Sequence, residues 1–405
     1  MESETIRLKT SWLGVFLGLA AGALAAFHQF KLPPAMPLML ELYEYDLTFA
    51  GGFMSVYALV GLATSALLGV GLQKFGTRHY VAIACSALIL GSLFTILWPS
   101  LSGIMLAARA VEGLGFSILA ILGPVIAISS ANLAHRPLAI AIFASWIPLG
   151  QLIALGISQP AIALGNWRLI WWFGIAITVI IALSLWFINT HQASRKNYKV
   201  LPKIRIKPSV KQKIAMIFAA LIFTLWSAQY LAMSTWLPHY LVSERGLTPT
   251  NAIGPYAIPT VVIIIFNIAG GVLLRRGVPI FPLLAIVTAI QGLLWLFFDT
   301  FNSTALGITA LVIYGAAAGI TPTCLFSMPN IILGQSGNNG PAFGVIMTGR
   351  HLGVLAGPII LPQLMITAGS WNLASLVFGI ITLAAGASAL GLGFFLLSIN
   401  KNKTA

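Results

Sequence analysis

Along most of the chain, runs of about 20 apolar residues follow one another, separated by short polar segments. A helix of that length, rising 1.5 Å per residue, crosses a hydrocarbon core about 30 Å thick. The runs predict spans at 12–36, 50–72, 80–98, 101–128, 138–161 and 168–189. Six more follow at 214–238, 252–274, 279–298, 304–333, 341–367 and 373–398. Of the 405 residues, 59% are hydrophobic and 7% charged. No water-exposed globule can hide that much apolar surface, because a large share of any such surface meets solvent. Hydrocarbon forces each segment to satisfy its own backbone hydrogen bonds, which long unbroken runs do as helices. The expectation is an all-α membrane protein with twelve transmembrane helices in the lipid bilayer.

The formal net charge of +14 then needs an account. With a cytoplasmic amino terminus, inner segments carry Arg7, Lys9, Lys74, Arg78, Arg136, Arg275, Arg276, Lys401 and Lys403, and "HQASRKNYKVLPKIRIKPSVKQK" adds eight more basic residues. Outer segments hold Lys31, Arg168 and Arg245, together with the acids Glu41, Glu44, Asp46, Glu244 and Asp299. This is the positive-inside pattern, so the basic balance reports sidedness rather than nucleic-acid binding. Both termini are expected in the cytoplasm, in a plasma or bacterial inner membrane. Cys85 and Cys324 sit in apolar runs without a CxxC partner, which points to buried small hydrophobes rather than a disulfide or a metal site.

An internal repeat organises the spans. Pro37 matches Pro238, Leu47-Thr48 matches Leu247-Thr248, and Tyr57 matches Tyr256; "GVGLQKFG" answers "GGVLLRRG". Further on, Pro137 answers Pro341, Gly150 answers Gly353 and Trp167 answers Trp371, always 199 to 204 residues apart. The predicted domains are a six-helix bundle over 1–190, a basic cytoplasmic linker over 191–213, and a second six-helix bundle over 214–405. Parallel repeats of this kind place a substrate site near the midplane, with alternating access by rocking. The first span, which offers small residues like those of a cleavable leader, is expected to be kept because the first repeat needs it.

With these features the chain resembles the major facilitator superfamily over nearly its whole length. The family's inner-loop pattern is echoed by Gly69, Lys74, Gly76 and Arg78, and its fourth-helix pattern by Arg109, Glu112, Gly113 and Gly115. Trp167-Arg168 matches the pair before the sixth helix. The resemblance implies two pseudo-symmetric bundles in the major facilitator fold and a cytoplasmic gate at Gly69, Gln73, Lys74, Gly76 and Arg78. Gln73 replaces the family's usual aspartate, so the gate is expected to rely on neutral hydrogen bonds and on Lys74 and Arg78. The fifth helix, "SWIPLGQLIALGISQP", lacks the Gly-Pro pair of proton-coupled drug exporters. Within the superfamily the chain looks most similar to the cyanate permease-like group.

Residues that break or decorate the repeat mark the candidate chemistry. His28-Gln29 aligns with Gln229-Tyr230 at an offset of 201, placing polar groups at one level in both halves. Such groups either line a pocket or bond helix to helix. Arg109 and Arg350 have no counterparts, the aligned positions lying near Val312 and Ile147. A charge at mid-bilayer must face protein or water. Glu112, three residues after Arg109, can neutralise it on the same helix face, or take up a proton when Arg109 is drawn away. Arg350 has no acid beside it in "TGRHLG", so it calls for an oxygen acceptor, supplied by a bound anion, by backbone carbonyls or by Glu112. His351 points elsewhere and reads as a packing residue. Thr321, Thr323 and Ser327 lie among prolines in the tenth span, and Trp226 and Trp236 are candidate pocket walls.

The leading expectation is a secondary transporter using alternating access, with a small organic or inorganic anion as substrate and the proton as coupling ion. His28, Gln29, Gln229, Tyr230, Arg350 and Thr321 would bind substrate, and Arg109 with Glu112 would couple the proton. The alternatives are an exporter of amphipathic drugs or metabolites and a non-transporting membrane sensor. No nucleotide-binding loop or catalytic constellation stands out, so neither an enzyme nor a cofactor is expected. A monomer is the expected state.

Overall fold

The computed structural model describes residues 10–132, 135, 139, 142–187, 208–301, 304–333 and 340–404, the side chains of 65–75, 300, 340, 341, 343 and 398–404 aside. Twelve α-helices lie among the described residues. They are α1 (Trp12–Phe30), α2 (Leu32–Tyr43), α3 (Leu47–Leu97), α4 (Ser102–Ser129), α5 (Trp146–Ala163) and α6 (Arg168–Phe187). Then come α7 (Val210–Ser243), α8 (Pro249–Arg275), α9 (Ile280–Leu296), α10 (Ala305–Leu333), α11 (Gly340–Ala368) and α12 (Asn372–Thr404). Eleven segments are long and apolar enough to cross a membrane, and the 17-residue α9 is a shorter apolar helix. The protein is a multi-pass integral membrane protein with the all-helical architecture expected for it.

Caps set several boundaries. Asp46 Oδ1 accepts from Thr48 N at 2.8 Å and Phe49 N at 3.2 Å, opening α3. Ser209 and Gln212 form a reciprocal capping box at α7, and Thr248 caps α8 with Pro249 in its first turn.

Two boundaries differ from expectation. The first span runs from Trp12 to Tyr43 through a break at Lys31, joining α1 and α2. Lys31 was expected in an outer segment but lies within this span, 0% exposed. The helix resumes after Lys31 because Pro33 and Pro34 fall in the first turn of α2, where backbone N–H groups have no intrahelical partner to lose. The second and third spans, expected to be joined by a gating loop, form one helical run broken at a single residue. Gly76, at φ 78° and ψ 166°, turns the chain between Leu47–Thr64 and Gly76–Leu97. The backbone of Gly69, Gln73 and Lys74 is helical, and their side chains lie outside the description. Arg78 is exposed, with its guanidinium 5.8 Å from the Trp186 ring centroid.

Only glycine adopts the Gly76 conformation without strain. Nothing lies within 4 Å of a Cβ built there, so the backbone alone makes the demand. Gly76→Ala is expected to cost about 1–3 kcal/mol. Melting of the purified variant in detergent checks this, and a melting temperature equal to wild type would refute it.

The chain divides into two compact units: Met1–Leu38 with Ala63–Lys199, and Met39–Leu62 with Val200–Ala405. Met39–Leu62 thus groups with the second unit, not with the amino-terminal half expected for it. The reason is local: Gly51 lets α3 approach the Pro358 carbonyl oxygen of α11, and Gln363 Nε2 donates to Thr48 Oγ1 at 2.5 Å. The expected linker falls largely on 191–207, outside the described residues, as does part of the fifth predicted span; α5 itself begins at Trp146.

Inside each unit the repeat reappears as packing. A Cβ on Gly150 would lie 2.3 Å from the Ala23 carbonyl oxygen, and one on Gly353 would lie 2.2 Å from that of Thr224. Ala23 and Thr224 are themselves 201 residues apart. Both halves therefore use a glycine to bring the same pair of helices into backbone contact. Tyr57, Tyr256, Trp167 and Trp371, matched across the repeat, are all buried.

Candidate functional site

In the amino-terminal unit the helix break creates the site. The last carbonyls of α1 lose their usual partners where the helix ends at Phe30. Lys31 N satisfies Phe27 O at 2.9 Å. The next two carbonyls are taken by a side chain from α4: Arg109 donates from Nη1 to His28 O at 2.9 Å and from Nη2 to Gln29 O at 3.0 Å. A planar guanidinium spans two adjacent oxygens in a way a lysine cannot. Arg109 Nη1 also donates to Glu112 Oε2 at 2.6 Å.

Glu112 in turn is held from three sides. Lys31 Nζ donates to its Oε1 at 2.7 Å, and Ser92 of α3 donates to the same oxygen at 2.7 Å. Lys31 donates its other two N–H groups to Ser92 Oγ at 2.9 Å and His28 Nδ1 at 3.0 Å. Its ammonium lies 4.8 Å from the Trp171 ring centroid of α6. The Thr178 hydroxyl donates to Gly174 O at 2.6 Å, which leaves His28 Nε2–H as donor to Thr178 Oγ1 at 2.9 Å. His28, Lys31, Ser92, Arg109, Glu112 and Thr178 are all 0% exposed. Two cations face one carboxylate, so the cluster carries one surplus positive charge when His28 is neutral.

The carboxy-terminal unit has a neutral counterpart. Gln229 Oε1 accepts from Trp295 Nε1 at 2.6 Å and Tyr314 Oη at 2.9 Å, while its Nε2 donates to Gln291 Oε1 at 2.9 Å. Gln291 Oε1 also accepts from Trp226 Nε1 at 3.0 Å. Gln291 Nε2 donates to Thr321 Oγ1 and Val287 O, both at 3.0 Å. These pairings follow the repeat: His28 and Gln229 are 201 residues apart, Ser92 and Gln291 199, Glu112 and Tyr314 202. Each half thus builds a buried polar hub on its first helix, charged in one and uncharged in the other.

Arg350 stands apart from both hubs. It is half-buried on α11, and no hydrogen bond or ion pair joins it to any other described residue. Its electrostatic neighbour is Tyr230 of α7, whose ring stacks on Trp226 with centroids 5.2 Å apart. One turn from Arg350, Gly353 lies against the Ser227 side chain, and Ser227 Oγ, buried, has no partner among the described residues. Gln29 Oε1 and His351 Nδ1 are likewise buried and unpartnered among the described residues.

Of the residues singled out in the sequence, His28, Arg109 and Glu112 come together in one cluster; Gln229 and Thr321 come together in another, and Tyr230 meets Arg350. Gln29 contributes only its main-chain oxygen to the first cluster. Trp226 and Trp236 are 5% and 0% exposed, with both indole N–H groups engaged, so neither is an open pocket wall. Sequence reasoning missed Lys31, Ser92, Gln291, Trp295 and Tyr314. The offset that paired His28 with Gln229 would have found Ser92 and Gln291. No group of three or more potential metal ligands occurs among the described residues.

The family profile described as the Major Facilitator Superfamily matches residues 15–338. An uncharacterized transporter, YgaY of Escherichia coli strain K12, is 24% identical over 172 residues, which is 42% of this chain and 43% of that protein. The chain thus aligns with less than half the length of that relative. The crystal structure of the nucleoside transporter NupG superposes with a TM-score of 0.72 at 12% identity, covering 94% of this chain and 98% of the other. A D-xylose-proton symporter superposes with a TM-score of 0.70 at 14% identity, covering 93% and 97%. At these identities the likeness extends to the fold alone.

Proposed function

Because the chain belongs to the Major Facilitator Superfamily, we propose that it is a secondary active transporter that moves a small anion by alternating access, coupled to protons. The observation that carries the anionic part is Arg350: a half-buried guanidinium in a membrane span with no counter-ion among the described residues. Such a charge favours an oxyanion, and Tyr230 and the unpartnered Ser227 hydroxyl offer further hydrogen bonds beside it. His28, Gln229 and Thr321 are buried and hydrogen-bonded inside their own units, which supports a role in holding the fold of the site. The asymmetry of basic residues supports the reading that both termini lie in the cytoplasm, at an inner or plasma membrane.

The structural neighbours are named for a nucleoside and for D-xylose with protons, and they speak to the fold only. The export of amphipathic compounds has weaker support, since the tryptophans it would rely on are buried and hydrogen-bonded.

The test is uptake of labelled acetate, lactate, sulfate and phosphate into proteoliposomes with and without an inward proton gradient. At least one of them is expected to accumulate. A charge-assisted hydrogen bond contributes about 1.5–3 kcal/mol, so Arg350→Ala should weaken that uptake by about tenfold to a hundredfold. Transport confined to neutral compounds and indifferent to Arg350→Ala would overturn the anion reading.

A further inference from the structure

We propose that Lys31 carries the coupling proton, that His28 relays it, and that Glu112 is a fixed counter-charge. The proposal rests on the proton-coupled reading above and deepens it. Sequence logic would choose Glu112, the one acid within the described spans of the amino-terminal unit. Geometry points elsewhere. The carboxylate accepts from Lys31, Ser92 and Arg109 through both oxygens, so a proton added there would displace donors already in place. A guanidinium keeps its proton in proteins, and that of Arg109 is tied to the carbonyls of the α1 terminus.

Lys31 is different. It holds the surplus charge of the cluster, and an ammonium can release a proton where a guanidinium cannot. Among the described residues the groups facing it are His28 at the end of α1, Ser92 on α3, Arg109 and Glu112 on α4, and Trp171 on α6, with Thr178 beyond His28. From α5, the buried Gln151 adds no charge.

The network stays satisfied in both states. With Lys31 as ammonium, Nζ donates to His28 Nδ1, and His28 Nε2–H donates to Thr178. Release runs as a relay: Nζ gives its proton to Nδ1 as Nε2 gives up its own. Lys31 becomes a neutral amine that still donates to Ser92 and Glu112, and its lone pair accepts from the new Nδ1–H. Nε2 becomes an acceptor, and the Thr178 hydroxyl turns to it from Gly174 O. The proton from Nε2 passes to water admitted when the cluster opens, histidine keeps one proton, and the cluster falls from one net positive charge to none. Two ring nitrogens with opposite roles are what a proton shuttle requires. The repeat sharpens the point, because the position 201 residues on from Lys31 is Ala232. The charge also sits at the break between α1 and α2, where a change of bonding acts directly on the bend.

Trp171 gives a reporter that needs no substrate. Tryptophan emission of the detergent-purified protein would be titrated from about pH 5 to about pH 10, and the signal of Trp171→Phe subtracted. A step is expected in the wild type, absent in Lys31→Arg, which keeps the charge but cannot release it, and absent in Lys31→Met. Glu112→Gln should keep a step, displaced along the pH axis. A step that survives Lys31→Arg and vanishes in Glu112→Gln would overturn the proposal, as would a wild type with no step. If either lysine variant fails to fold, the other decides. Because no transport is measured, failure of the anion assay leaves this result standing, and the reverse also holds.

Discussion

Glu112→Ala is expected to destabilise the protein by about 3–5 kcal/mol, the cost of leaving buried charges without their partner. Two cations, Lys31 and Arg109, would remain 0% exposed with no carboxylate between them. Lys31→Met should cost much less, because it removes the surplus charge and leaves the Arg109–Glu112 pair intact; its main penalty is the lost donor to His28 Nδ1. Glu112→Gln should fall between, since the amide oxygen still accepts but brings no charge. Unfolding of membrane proteins in detergent is read best as a rate or an apparent melting temperature, compared at one scan rate. The expected order of melting temperatures is Lys31→Met above Glu112→Gln above Glu112→Ala. If Lys31→Met proves as damaging as Glu112→Ala, the surplus-charge account is wrong.

The second large effect is expected at Gly353. Glycines recur every fourth residue on α11, at Gly349, Gly353 and Gly357, and each faces α7 backbone. A Cβ at Gly353 would sit 2.2 Å from Thr224 O, 2.8 Å from Ala228 N and 2.8 Å from Ser227 Cβ. Backbone atoms cannot rotate away, so the helices must separate. Overpacking commonly costs about 1–3 kcal/mol and occasionally more, and Gly353→Leu should exceed that range. Thr224 Oγ1, which donates to Gly349 O at 2.9 Å, would be pulled apart by the same movement. Arg350 and Tyr230 face each other across this contact, so the milder Gly353→Ala should weaken anion uptake while Arg350 itself is untouched. Gly150→Ala should destabilise the other half in the same way, against the Ala23 carbonyl. Gly156→Ala, which meets open space, serves as the control and should gain stability slightly from its higher helix propensity. Equal melting temperatures for Gly353→Leu and Gly156→Ala would refute the close-packing argument.

These two predictions separate what each source of information supplied. The number of spans, their helical nature and the repeat follow from the chain alone. Lipid demands long apolar runs and internally bonded backbone, so hydropathy along the sequence is already a statement about architecture. That Arg109 and Glu112 could not face lipid was equally legible, and their spacing of three residues put them on one helix face. Partner choice was not legible. Lys31 reads as an outer-segment charge, and only the continued helix and its bond to Glu112 show the lysine inside the span. Arg109 reads as a charge seeking a carboxylate, yet two of its hydrogen bonds go to the His28 and Gln29 carbonyls, 81 and 80 residues away. Gln229 reads as a substrate ligand, yet Trp295 and Gln291 of α9 and Tyr314 of α10 engage both ends of its amide. A side chain's residue type is local, whereas its bonding is settled by whichever helices pack beside it. The sequence determined which groups had to be buried; the tertiary structure alone decided which of them bond to one another and left Arg350 without a counter-ion among the described residues.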